Sequence, residues 1–482
     1  MREIRKSGSE EGPIWVTGSV YSPKKCRNNV VELFSPMSYT SIIKLIRGIM
    51  SVLADLLSAA KGSLEGLEDG RKESNAWKYK ISEAGMGALA VFVMQEPSFL
   101  SYQKRLARGT SSHNFHTLFG FPRIPSTPQI KNILDDSAPV GLEPLYHNGL
   151  RRLEKEEALK PFKCLGGHLI ALDGTQSHSS NKICCESCLS KVHANGSTTY
   201  YHMVLCATIV APGIKEAIPL TPEFIVPQDG HDKQDCEPVA LKRWLAKHKE
   251  EYRHLNPSIL GDDMFSRQPT CEAVIEAGYN FIFTCKESSH KTLYEYLDGA
   301  ELEQVKVGAK NGYKKCIYEY RFINNVPIRD GKDAMDVNWL EIIEKSAKTG
   351  KVLYRNTFVT NHTITAKNVH EIAQAGRARW HLENENNNTL KTKGYRFEHN
   401  YGHGKKHLGN ILSSLAIIAF LYHTVMNLVD KLYLAARQAV GSRKDFFDQL
   451  RAFTSILVFA SWESLMKFML HPPDDGLGVG VL

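Results

Sequence analysis

Cysteine is sparse and scattered. Ten occur in 482 residues, too few for a disulfide scaffold to carry a fold of this size. The opening run, Met1-Arg2-Glu3-Ile4-Arg5-Lys6-Ser7-Gly8, lacks the apolar core of a secretory signal. Clean membrane-length apolar runs are lacking too. Ala84 to Met94 is too short to span a bilayer. Leu408 to Val429 is long enough, but Asn410, Ser413, Ser414, His423 and Asn427 interrupt it, so a buried helix is expected. These absences give the expectation of a reducing, cytoplasmic setting and no membrane partner. Strong charge of one sign is missing as well. The net charge of +8 favours an anionic partner without identifying one, because many cytosolic proteins carry as much. There is no internal repeat and no low-complexity tract.

What is present suffices for a folded chain. Hydrophobic residues make up 42%, and the length allows two or three domains around a large core. Residues 1–165 read as mostly helical. Tyr39 to Ala60 has helical spacing through Ile42, Ile43, Leu45, Ile46, Met50, Leu53 and Leu56, and a polar passage follows from Lys61 to Lys72. Between 103 and 126, Lys104, Arg105, Arg108 and Arg123 surround Phe115, Phe119 and Phe121. Such a mixture can line a nucleic-acid surface, but a solvated face over a small core is the simpler reading and is preferred.

From His168 the order of elements becomes specific. The apolar run His168-Leu169-Ile170-Ala171-Leu172 predicts a strand ending at Asp173. A long strand, Thr198 to Val210, turns at Pro212-Gly213. A loose third strand runs from Ile214 to about Ile225, with Pro219 and Pro222 suiting an edge. A helix follows over Glu237 to Lys249, with Asp235 as its N-cap. Next come a strand ending at Asp262, a helix from Pro269 to Ala277 closed by Gly278, and a strand from Tyr279 to Cys285. Three strands able to form a meander, followed by alternating strand and helix, demand a mixed sheet with right-handed crossovers. That is the order of an RNase H-like α/β fold, with a mixed sheet flanked by helices. In it the ends of the first and fourth strands are neighbours, so Asp173 and Asp262 should meet although 89 positions (262 − 173) separate them. The expected divisions are 1–165, a helical N-terminal region; 166–303, the first part of the core; 304–362, a β-rich insertion with strands over Lys315 to Ile323 and Lys351 to Val359; 363–430, the second part of the core; and 431–482, a helical tail.

Helix is expected to resume with Thr365 as cap of Ala366 to Ala375, and to continue through Glu383 to about Lys391. At 100° per residue Arg379, Glu383 and Leu390 share a face with Asn387 nearby, while Asn384 and Glu385 point elsewhere. Carboxylates at two strand ends plus one from a helix make an oxygen cage suited to magnesium. The ligands predicted are therefore Asp173, Asp262 and Glu383, with Asp263 and Glu385 as alternatives. The competing reading of Glu383 is an i,i+4 ion pair with Arg379, worth about 0.2–0.5 kcal/mol. From Arg377 to Lys406, seven basic residues face three acidic ones, a balance of +4. A basic surface beside an acidic metal site suits a phosphodiester substrate.

Leu172-Asp173-Gly174-Thr175-Gln176, Gly261-Asp262-Asp263-Met264-Phe265 and Arg379-Trp380-His381-Leu382-Glu383-Asn384-Glu385 together resemble the motifs of insertion-sequence DDE transposases, in particular the group with a Tyr-Arg-Glu-Lys signature. Glu398-His399-Asn400-Tyr401-Gly402-His403-Gly404 and the tail around Phe446-Phe447 and Trp462 are similar to a subset of bacterial members. The resemblance spans about residues 120 to 470. It implies metal-dependent cleavage at transposon ends and strand transfer into target DNA, by a homodimer on double-stranded DNA at the bacterial nucleoid. Two Mg²⁺ ions, or Mn²⁺, would sit on Asp173, Asp262 and Glu383. Arg379, Lys391, Lys393, Arg396, Lys405 and Lys406 would contact DNA, as would the N-terminal region. Rival readings are a metal-dependent nuclease without strand transfer and a non-catalytic DNA-binding descendant. Three features depart from the signature. Gly376 stands where tyrosine is expected, Lys391 lies eight rather than seven residues past the glutamate, and Asn386-Asn387-Asn388 is unusually polar.

Cys185-Glu186-Ser187-Cys188 spaces two thiolates for one zinc ion. His193 and His202 are the expected completing ligands of a structural site.

Overall fold

Leu169, Ile170, Ala171 and Leu172 are completely buried, and this apolar run forms the middle of a central strand. The computed structural model describes residues 51–72, 77–121, 123–227, 236–311 and 314–471. Among them twelve strands form one mixed sheet: β1 (Lys163–Cys164), β2 (Gly167–Ser180), β3 (Leu189–Val192), β4 (Thr198–Val210), β5 (Ile218–Pro219), β6 (Glu223–Ile225), β7 (Pro257–Gly261), β8 (Asn280–Thr284), β9 (Glu303–Asn311), β10 (Lys314–Pro327), β11 (Asp336–Ser346) and β12 (Val352–Thr360). The order is β3-β4-β2-β7-β8-β12-β11-β10-β9, with β1 on β2 and β5 and β6 on β4. β2 and β4 are antiparallel, whereas β7 runs parallel to both β2 and β8. Crossover helices Glu237–Tyr252 and Gln268–Glu276 supply the connections that parallel pairing needs.

Two expectations change, and the insertion finds its place. β2 does not end at Asp173. It continues to Ser180, pairing Asp173 with Cys206 and Ser180 with Tyr200. The apolar run stops at Leu172 because β7 stops at Gly261, and beyond that point β2 has only β4 beside it. The strands of the β-rich insertion, 304–362, join the same sheet. β12 pairs antiparallel with β8, so the insertion extends the sheet at that edge. The glutamate-bearing helix is not continuous. It starts at Val369, with Asn368 as N-cap, and the Thr365 hydroxyl instead accepts the Asn368 N–H at 3.3 Å. The helix Val369–Arg377 then gives way to a wider π-type turn, Leu382–Asn387, before Asn388–Thr392. Such a turn breaks the 100° phase. The Asp235 cap and residues 39–50 of the first predicted helix lie outside the described residues.

The helix Leu408–Val429 has the length and apolarity to cross a membrane, but 83% of its most apolar window is buried inside the fold. Ile411, Leu415, Ile418, Leu421 and Val425 are fully enclosed, each contributing about 1.5–3 kcal/mol. It packs against Ile81–Val93 and Glu143–Lys155. Gly149 permits the second approach, since a Cβ there would lie 2.7 Å from Leu421 Cδ2. The tail closes on the helix Gly109–Phe119: Trp462 Nε1 donates to the Leu118 carbonyl at 2.7 Å, and Phe446 and Phe447 are buried. Phe115, Phe119 and Phe121 belong to this core, and Arg105 turns inward to Glu96 at 2.6 Å. The 103–126 segment is thus largely packing.

Candidate acidic and metal sites

Parallel pairing sets Ala171 opposite Leu260. Two residues beyond each are Asp173 and Asp262, which the register brings to the same level where β7 ends. Asp262 Oδ1 accepts the Met264 N–H at 2.8 Å, fixing the turn. The third carboxylate arrives from the π-type turn. Arg379 stands between: its Nη2 is 2.7 Å from Glu383 Oε1 and its Nη1 is 3.8 Å from Asp173 Oδ1. Asn387 completes the group by donating from Nδ2 to Asp173 Oδ2 at 3.0 Å.

A fourth carboxylate, Glu237, escaped the sequence reading. It opens the helix Glu237–Tyr252 and accepts a backbone hydrogen bond from Gly174. A Cβ on Gly174 would sit 2.3 Å from Glu237 Oε1, so glycine after Asp173 is what admits this close approach. The Asp173-Gly174 pair was the available signal.

Burial pushes the Asp173 carboxyl up to about 7. Arg379 opposes the shift, while Glu383, Glu237 and Asp262 add to it. Glu237 is raised by burial and then by Asp262. Asp173, Glu383 and Glu237 thus share one guanidinium, with Asp262 beside them. They are neighbours without meeting at one point: among the described residues, the one group of metal-ligating atoms all within 4.8 Å of one another consists of cysteines and histidines. Mutual repulsion and the Arg379 wedge account for the spacing.

The alternative ligands lie elsewhere. Asp263 Oδ1 accepts from the Lys286 N–H at 2.6 Å and the Ser289 hydroxyl at 2.7 Å. Glu385 is raised by burial and has Lys215, Glu216, Lys393 and Arg443 as its charged neighbours. Of the basic candidates, Lys391 pairs with Glu398 at 2.9 Å and Lys406 with Asp136 at 2.7 Å. Exposed pairs of this kind are worth about 0–1 kcal/mol, and a phosphate can displace them. Lys393, Arg396 and Lys405 are exposed. Arg379 is not a free surface cation, being held by two carboxylates.

The structure keeps three of the expected ligands of the cysteine cluster and replaces His193 with His403. Cys185, Cys188, His202 and His403 form the group that can hold a metal ion. His193 belongs to the turn of the β3–β4 hairpin, exposed, with Nε2 2.8 Å from Thr199 Oγ1. The hairpin turns it away, and His403 arrives instead from 215 positions beyond Cys188. Cys185 Sγ is 3.8 Å from Cys188 Sγ and 3.3 Å from His202 Nε2, and Cys188 Sγ is 3.2 Å from His403 Nε2. The Cys188 thiol and the two imidazoles hold the Cys185 thiol well below its ordinary range.

No protein-family model and no curated protein matches the chain.

Proposed function

We propose that the chain is a DDE-type DNA transposase with an RNase H-like core. One observation carries the reading: Asp173 and Glu383, from distant parts of the sequence, both face the Arg379 guanidinium, and the parallel pair β2–β7 brings Asp262 level with Asp173, close enough for its charge to act on that carboxyl. The order β5/β6-β4-β2-β7-β8, with its first three strands antiparallel and the last two parallel to β2, supports the RNase H-like assignment.

The donors fit magnesium or manganese, because they are all carboxylate oxygens, and burial together with three acidic neighbours makes the charged form of Asp173 costly without a nearby cationic partner. Asp173, Asp262 and Glu383 would hold the metal, with Glu237 beside them. Bound there, two such ions supply Lewis-acid activation of the scissile phosphate and of the attacking oxygen. The protein's own part is position and charge. Asn387 orients Asp173, and Asp173 must lose its proton before it can serve as a ligand. Arg379, Lys391, Lys393, Arg396, Lys405 and Lys406 lie along the segment that would hold flanking phosphates of double-stranded transposon-end and target DNA. A homodimer acting at the nucleoid, in the cytoplasm, belongs to the same reading.

The test is a joining assay with a pre-cut DNA end, taken from the repeats flanking the coding region, in magnesium. Covalent joining to target DNA supports a transposase. Cleavage without joining makes the protein a nuclease. Binding in calcium with neither reaction in magnesium makes it a non-catalytic descendant, the outcome that the Arg379 pairing to two of the carboxylates would favour.

A further inference from the structure

We propose that Cys185, Cys188, His202 and His403 bind one zinc ion, as a structural staple between the first hairpin of the sheet and the segment leading into Leu408–Val429. The four ligating atoms lie within 4.8 Å of one another. Two thiolates about 2.3 Å from a tetrahedral zinc stand about 3.8 Å apart, and the sulfurs are 3.8 Å apart here. The sulfur–nitrogen separations of 3.3 and 3.2 Å fall slightly inside the roughly 3.6 Å of the same tetrahedron, so a small outward shift seats the ion.

Both imidazoles are oriented as metal ligands. His202 Nδ1 is 2.7 Å from Asn410 Oδ1, and His403 Nδ1 is 3.1 Å from the Gly404 carbonyl. Each acceptor takes the Nδ1 proton and leaves the Nε2 lone pair facing a sulfur, the outer arrangement that metal-bound histidines use. Cys188, His202 and His403 are buried and Cys185 is half-buried. Four protein ligands leave no open position, so the site is structural, not catalytic. Cys184 is exposed and lies outside the group. The His178 ring packs 4.9 Å from that of His403 and is also outside it.

The staple joins parts that the chain order keeps far apart. Cys185 and Cys188 lie between β2 and β3, and His202 is on β4, the partner of β2. His403 lies just before the helix Leu408–Val429. Asp135 grips the same segment from the other side, accepting the backbone N–H groups of Lys405, Lys406, His407 and Leu408. Zinc and Asp135 together would clamp the Arg396–Lys406 stretch against the hairpin that carries Asp173. The zinc proposal does not depend on any reaction at Asp173.

The test is metal analysis of the full chain, purified under reducing conditions without chelator. The wild type and His193→Ala should each hold about one zinc per chain, while Cys188→Ser and His403→Ala should hold less than about a tenth of that. Reduced, zinc-free wild type titrated with Co²⁺ should show thiolate-to-cobalt charge transfer and the intense visible bands of a tetrahedral ion. Should His403→Ala fail to fold, His403→Cys restores four ligands and should retain zinc. A wild type that binds neither zinc nor cobalt overturns the proposal. So does His403→Ala with undiminished zinc, His403→Cys without it, or loss of zinc from His193→Ala.

Discussion

Asn387 donates its Nδ2 hydrogen to Asp173 Oδ2 at 3.0 Å, across 214 positions of sequence. Its neighbour Asn386 is fully buried and donates to Asn387 Oδ1 at 2.9 Å. Two of the three asparagines, Asn386 and Asn387, therefore form a relay ending on the half-buried Asp173 carboxylate. An apolar side chain at 387 would leave Asp173 with Arg379 as its nearest polar neighbour.

The first prediction follows from that contact. Asn387→Ala should lower magnesium-dependent cleavage by about 10–100-fold, the usual cost of losing a group that orients a metal ligand, while DNA affinity stays unchanged. Cleavage and gel-shift titrations on one DNA distinguish the two. Unchanged cleavage would remove Asn387 from the site.

Asp173 and Arg379 should separate chemistry from binding. Asp173→Ala is expected to abolish cleavage yet leave binding nearly intact, because it removes an anion from a DNA surface. Arg379→Ala should weaken binding and make its salt dependence shallower, by about one unit of slope if Arg379 neutralises one phosphate. Titrations at several salt concentrations read both. Parental cleavage by Asp173→Ala would end the catalytic assignment.

Burial, joined by three acidic neighbours, raises Asp173 to about 7, so between about pH 4 and 7 the folded protein keeps a proton that the unfolded chain has lost. The resulting stability is present at low pH and is lost as pH rises through about 7. In metal-free protein, the part of the stability-against-pH slope removed by Asp173→Asn should have that sign. Magnesium must displace the same proton. Its affinity should climb with pH, by about tenfold per unit, and level off above about 7. Calorimetric titration across that range checks it, and a flat profile would contradict the shift.

Gly376 concerns packing. A Cβ there would lie 2.9 Å from Phe358 Cε1 and 3.0 Å from Ile282 Cγ2, because the helix Val369–Arg377 rests directly on β8 and β12. Gly376→Ala should therefore gain nothing from helix propensity and cost about 1–3 kcal/mol through overpacking. Gly376→Tyr, which introduces a much larger side chain at the same contact, should cost more. Denaturant midpoints measure both, and a stabilised alanine variant would refute the packing argument.

How far the chain could be read depended on the range of the cause. Strands that bury apolar runs, such as Leu169 to Leu172 and Ile259-Leu260, were legible because burial shows in the residues themselves. The polar half of β2 was not legible, since Thr175 to Ser180 stay extended only because β4 pairs with them. Helical phase placed Asn387 near the Glu383 face, but the π-type turn and the bond to Asp173 arise from packing. Cys185 and Cys188 announce a candidate metal cluster by local spacing, and His202 lies with them as expected. His403 could not be chosen over His193 from spacing, because a ligand 215 positions away is brought in by the fold alone. Glu237 was hidden for the same reason. Local propensity and burial are written along the chain, whereas the neighbours that turn a carboxylate or an imidazole into part of a site are set by strand register and helix packing.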